Sequence, residues 1–360
     1  MSQPHPPLDA ADTDAAERWF LGRGLPAVLR RGALLRRVAV RSAPALAALA
    51  VVAANSVLIV AISGKHTVDI AGRPDFVEGV VLGLLALVLP LAAAVGWLVS
   101  RVSADSRRRS IAVAALVVTG LGALVGGFSN RVLVNVLLYG IAAAVIVVGT
   151  VTGIGSILGW ALRLTTTNLR HLAGMAARAL PVLLLTFLVF FNGSVWVMAA
   201  TIGRPRLWLG MGFLFLVAAS FLVSGALEQV RPLLAESDRL SRAERANVLF
   251  VVTASQITQV ISVAAVTGLM FLVLGLILIS PPLLEAWTRG GRSDGEVLGM
   301  TLPIPDALIQ TTLFLSAITF MYLAAKAVTD TAYRTKLLDP MLDDVRVTLA
   351  ARERYRAAAG

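Results

Sequence analysis

The chain contains no cysteine and only three histidines in 360 residues. Disulfides, thiol nucleophiles and thiolate metal sites are therefore excluded. His5, His66 and His171 lie too far apart for ligand spacing, and no HExxH occurs. A serine triad needs a histidine base, and no nucleophile motif surrounds any of the three. Charge is also scarce: 15% of residues are charged, where a soluble domain carries about 25%. The sequence thus offers no catalytic constellation, cofactor motif or metal-ligand set, and it reads as a protein without enzymatic activity or cofactor.

Apolar sequence is abundant, at 57% of residues. The stretch Ala179–Thr201, ALPVLLLTFLVFFNGSVWVMAAT, has no charge over 23 residues and is flanked by Arg178 and Arg204. A helix rises ~1.5 Å per residue and a bilayer core is ~30 Å thick, so this stretch is long enough to cross. Seven further stretches are of the same kind. The predicted spans are Pro44–Ser63, Glu78–Val99, Ile111–Gly127, Val132–Leu158, Ala179–Ala200, Leu207–Ser224, Gln256–Ile279 and Ala307–Ala325. The fold class is all-α, a polytopic helical membrane bundle of about eight transmembrane helices with cytoplasmic amphipathic helices.

Charge placement orients the spans. With the N-terminus inside, 25 of the 32 Arg and Lys residues fall on inner segments and seven on outer loops. This positive-inside pattern predicts a multi-pass plasma-membrane protein with both termini cytoplasmic. It also accounts for the net charge of +11 without a nucleic-acid partner. The inner arginines face anionic lipid head groups, each worth roughly 1 kcal/mol near the surface. Some 42 residues precede the first apolar run, which reads as a retained span and not as a cleaved leader.

The expected organisation has four parts. Residues 1–42 form a cytoplasmic arm, disordered at first and then basic and amphipathic. Its Trp19, Phe20, Leu25 and Val28 suit a helix lying on the membrane surface, interrupted at Gly22, Gly24, Pro26 and Gly32. Residues 43–160 hold transmembrane helices 1–4, and residues 161–328 hold helices 5–8 with a cytoplasmic helical segment at about 226–250. Residues 329–360 form a C-terminal cytoplasmic helix. Leu227–Asn247 reads as one charged helix. The uncharged run Val248–Ile279 would make ~48 Å of helix, so its polar beginning should project from the membrane. In the tail, Asp339 and Pro340 suit a helix start. Leu338, Met341, Leu342, Val345 and Leu349 form an apolar stripe, for packing on the protein's own inner face or on a partner helix.

Pro44 precedes Asn55, and Pro181 precedes Asn192, by 11 residues each. Such an echo is what two parallel four-helix halves would leave, an arrangement found in transporters. Gly79/Gly83, Gly122/Gly126, Gly149/Gly153 and Gly155/Gly159 fit GxxxG, whose use is close helix approach. Gly126–Arg131 reads as a tight hairpin. Acidic and basic groups are confined to span ends, at Glu78, Asp306 and Lys326. Among in-span amides, Asn55, Asn192, Gln256 and Gln259 are the candidate solute-binding residues, with Asn135 as a further amide, and interhelical hydrogen bonding is their other use. The outer loop Ser280–Pro305 is either a connection or a lid.

Three stretches carry a resemblance. Arg18-Trp19-Phe20-x-x-Arg23-Gly24-Leu25-Pro26, the run from Arg178 to Phe191, and Tyr333-Arg-x-Lys-x-Leu-Asp-Pro resemble multi-pass integral membrane proteins common in actinobacteria, a family without an assigned activity. The resemblance implies a bacterial plasma-membrane location and no mechanism. Two functions fit these features. One is an accessory or scaffold component acting through its cytoplasmic helices on a protein partner or a second copy of the chain. The other is a transporter or channel for a small or amphipathic solute.

Overall fold

A computed structural model describes residues 13–29, 34, 35, 37–167, 180–235, 240–289, 294–297, 300–329, 342, 343 and 345–352. It is almost wholly helical. In chain order the helices are α1 (Thr13–Gly22), α2 (Val38–Ser63), α3 (Phe76–Ser100), α4 (Asp105–Val125), α5 (Val132–Val151) and α6 (Ile154–Thr167). Then come α7 (Leu180–Phe190), α8 (Gly193–Thr201), α9 (Arg204–Ala235), α10 (Arg242–Leu278) and α11 (Pro281–Thr288). A two-stranded hairpin, β1 (Gly295–Val297) and β2 (Met300–Leu302), precedes α12 (Asp306–Thr329). Seven of these helices, α2 to α5, α9, α10 and α12, are long and apolar enough to cross a membrane.

The fifth expected span is not one helix. Ala179–Ala200 is divided into α7 and α8, because Asn192 leaves the helix and caps α8. Its Oδ1 accepts from the Ser194 amide at 2.9 Å. In an unbroken helix that amide would bond the Phe190 carbonyl, which instead accepts from Trp196 Nε1 at 2.6 Å. The break is therefore satisfied by side chains, as apolar surroundings demand. The fourth span also differs: Val132–Leu158 is interrupted at Gly153, whose φ of +81° ends α5 and lets α6 set off anew. Leu227–Asn247 is not one helix either. Its first part continues α9 to Ala235, and a capping box of Ser241 and Glu244 starts α10.

The chain forms two compact units. The first comprises Arg31–Gly155 and Ser293–Ile304. In it α2 is central, packing Ala43, Leu46, Ala47 and Ala50 against Val99 of α3 and Ala112 and Ala115 of α4. Of the GxxxG pairs, Gly122/Gly126 meets a neighbouring helix, against Ala53 and Ser56 of α2, whereas Gly79, Gly83, Gly149 and Gly159 face open space. The hairpin after α4 is tight, as its sequence predicts. Asn135 Nδ2 donates to the carbonyls of Gly126 and Ser129 at 3.0 and 2.7 Å, and its Oδ1 accepts from the Ser129 amide at 3.1 Å. The β1–β2 hairpin extends the unit through the Ile70 amide to the Thr301 carbonyl, 3.0 Å, and the Thr301 amide to the Val68 carbonyl, 2.9 Å. The long loop thus supplies structure of its own.

The second unit comprises Met1–Arg30, Ser156–Arg292 and Pro305–Gly360. Its hub is α12. The most apolar stretch of α12 is 61% buried, against 11–33% for the other six long helices. Helices α9 and α10 run ~48 and ~55 Å, longer than a membrane core, and their far ends enter a separate apolar core. There Phe20, Leu25 and Val28 meet Val230, Leu233, Val248, Val251, Leu342, Val345 and Leu349. The N-terminal arm is broken at Gly24 and Pro26 as expected, and its Phe20, Leu25 and Val28 are buried in this core. The described part of the tail stripe packs on the chain itself. Leu338, Asp339, Pro340, Met341, Arg354 and Arg356 lie outside the described residues.

Candidate functional site

The four candidate amides are divided between the two units. Asn55 is buried in α2 of the first unit. Asn192 is exposed and serves as the cap of α8. Gln256 and Gln259 are both buried on α10, one turn apart. The proline–asparagine echo therefore ends in unlike structures, a continuous helix at Asn55 and a break at Asn192.

Hydroxyls in apolar helices ordinarily bond the carbonyl one turn back. Thr119, Thr150, Thr258, Ser262, Thr267, Ser316 and Thr319 all do so. Thr253, Ser255, Thr311 and Thr312 are buried and do not: their oxygens lack any partner. Beside the first pair, Gln256 Nε2 is unpartnered, and beside the second, Gln310 Oε1. Each such atom costs roughly 1–3 kcal/mol of desolvation, a large sum against a total stability of about 5–15 kcal/mol. A cluster of this kind calls for an unseen partner.

The two clusters stand apart along the seam of α10 and α12. Gly275 meets Leu308 and Gly268 meets Ser316, so the helices run antiparallel. Gln310 then lies near the level of residue 273, and Gln256 is ~25 Å away along the axis. Between these levels a groove of about 460 Å³ opens on the second unit. Met211 and Phe215 of α9, Ile261, Ala265 and Leu269 of α10, and Thr312, Ser316 and Phe320 of α12 line it. Its walls are apolar except for the two hydroxyl residues. Beyond its Thr312 end, Gln310 Nε2 donates to Asp306 Oδ2 at 2.8 Å, and Asp306 pairs with Arg204. The ion pair is half-buried and internally neutral.

Gln310, Thr311 and Thr312 were not among the amides and hydroxyls that the sequence marks. Mean hydropathy does not single out the last span, since α4 has the same value of 1.6 and is far less buried.

Two other places carry chemistry-bearing groups. Ser56 and His66 share a cavity of about 20 Å³ with Thr67 and Gly127. Ser56 donates to the Ala53 carbonyl at 2.7 Å and accepts from Tyr139 and from the Gly127 amide. Its proton is engaged and His66 makes no hydrogen bond to it, so the pair lacks the geometry of a nucleophile and base. At the end of the second unit that holds α1, Arg352 Nε and Nη2 donate to Glu244 at 2.6 and 2.9 Å with both side chains buried. This pair fixes the C-terminal residues to the start of α10. Among the described residues no cluster of metal-ligating side chains occurs. No protein-family model, no curated protein and no solved structure matches the chain.

Proposed function

We propose that the chain is an integral bacterial plasma-membrane protein, both termini cytoplasmic, that binds and passes a small amphipathic solute without transforming it. The observation that carries this reading is the buried, unpartnered set Gln310, Thr311 and Thr312 on the hub helix, next to an apolar groove that Thr312 itself lines. An apolar wall with a few polar groups at one end suits a ligand of the same character. The broken pair α7–α8, which packs its aromatic side chains around Phe190, Trp196 and Trp287, supports the reading too, since discontinuous helices accompany solute sites in carriers.

Native mass spectrometry on protein extracted gently from its host membrane tests this. Wild type retains a small amphipathic molecule. Ala265→Trp, which fills the groove from an exposed position, loses it, and so does Gln310→Leu with Thr312→Val. The double variant removes two unpartnered oxygens but also the Gln310–Asp306 hydrogen bond, so the two effects offset and its thermal midpoint changes little. Bare wild-type protein, or equal retention by all three, refutes the site.

A second reading, an accessory component acting through the end of the second unit that holds α1, is favoured by the folded core there. The apolar faces of that core are used internally, so a partner would meet its charged outer faces. Arg242→Glu with Arg245→Glu then releases a stoichiometric protein partner on co-purification. Unchanged recovery of every associated protein excludes this reading.

A further inference from the structure

The corner between α3 and α4 concentrates positive charge that the protein does not neutralise. Residues 101–109, RVSADSRRR, hold four arginines and one acid. That acid, Asp105, is already engaged by Arg37 at 3.1 Å. Arg108 reaches back to the Ser100 carbonyl and keeps an unpartnered Nε. Arg107 and Arg109 are exposed and make no hydrogen bond or ion pair. Arg107, Arg108 and Arg109 also occupy the opening turns of α4, the positive end of its macrodipole, where cations are disfavoured. Such an arrangement is relieved by an anion.

The same corner carries apolar surface. Trp97 and Leu98 are 54% and 56% exposed at the end of α3, and the Arg101 guanidinium carbon stands 3.9 Å over the Trp97 ring. Exposed tryptophan beside arginine at the end of a spanning helix marks the boundary between acyl chains and head groups. Leu89 and Leu91 continue the exposed apolar face along α3. A soluble anion would satisfy the arginines and leave that face unused, whereas a lipid satisfies both.

We infer that this corner binds the phosphate head group of an anionic phospholipid, with Arg101, Arg107 and Arg109 on the head group and Trp97 and Leu98 against its upper chains. The site lies in the first unit and is independent of the groove. The test is native mass spectrometry of the full chain with phosphatidylglycerol or phosphatidylcholine of identical chains. Arg107→Gln with Arg109→Gln is compared with the charge-matched control Arg231→Gln with Arg242→Gln. Retention of phosphatidylglycerol falls about tenfold in the corner variant. It stays near wild type in the control, and phosphatidylcholine is indifferent to both. Both changed residues are exposed and unpaired, so the thermal midpoint is preserved, which separates a lost site from a lost fold. Equal loss in the two variants, or equal binding of both lipids, overturns the inference. So does displacement of phosphatidylglycerol by inorganic phosphate, which assigns the corner to a soluble anion.

Discussion

Arg352→Ala unfolds the core around α1 and the end of α10, at a cost of about 3–5 kcal/mol. Glu244 and Arg352 are almost wholly buried, with side chains 2% and 4% exposed, so removing the cation leaves a carboxylate stranded in an apolar surround. The same carboxylate caps α10 through the Ser241 amide at 2.9 Å, and it cannot turn to water without releasing that cap. Limited proteolysis of the tail, followed against denaturant, reads the loss. The paired change Glu244→Gln with Arg352→Met sharpens the argument. Glutamine retains the capping box and methionine fills the arginine's volume, so stability returns to within about 1–2 kcal/mol of wild type. If the single and the paired variants lose the same amount, the ion pair is not what joins tail to helix.

Gly127→Ala has an effect of similar size in the first unit, about 3–5 kcal/mol. Gly127 has φ of +97°, which an L side chain rarely adopts, and an added Cβ would coincide with the Asn135 amide group. Displacing that amide breaks its three hydrogen bonds to Gly126 and Ser129 and leaves the buried Gly126 carbonyl without its donor. Asn135→Leu removes the same bonds without straining the backbone and should cost less. Because the chain has no cysteine, a single Ser129→Cys reports the hairpin cleanly. Its labelling rate rises sharply in the Gly127→Ala background and only modestly in Asn135→Leu. Identical rates in both would mean that the backbone conformation contributes nothing.

The spans were legible because length and apolarity suffice to mark them, and six of the eight are continuous helices, Val132–Leu158 and Ala179–Ala200 being the broken ones. The second of these shows what a hydropathy window misses. Ala179–Thr201 is apolar throughout, yet continuity depends on local bonding, and Asn192-Gly193 pairs a good cap with a poor helix former. The division of the charged segment at Ser241 follows from the capping box Ser241-x-x-Glu244, which is readable in the sequence. The amides were harder. Asn135 and Gln256 look alike in a linear chain, and only the structure separates a fully bonded clasp from an unpartnered group. Gln310 went unmarked because nothing in the periodicity of the last span reveals that it is surrounded on all sides. The tail stripe was legible as a stripe, while its use depended on which surface lay opposite.

The hairpin Gly295–Leu302 belongs to the unit made otherwise of residues Arg31–Gly155. This has a consequence for biosynthesis. The first four long helices emerge from the ribosome well before the strand that pairs with Val68 and Ile70 exists. At about 5–20 residues per second, the nascent edge at Val68–Ile70 stays open for roughly 10–50 s while the intervening helices are made. The amino-terminal helices can insert in order, but they cannot reach their final state in order. Completion of that unit is a late, post-insertion event, gated by arrival of the segment that immediately precedes the hub helix.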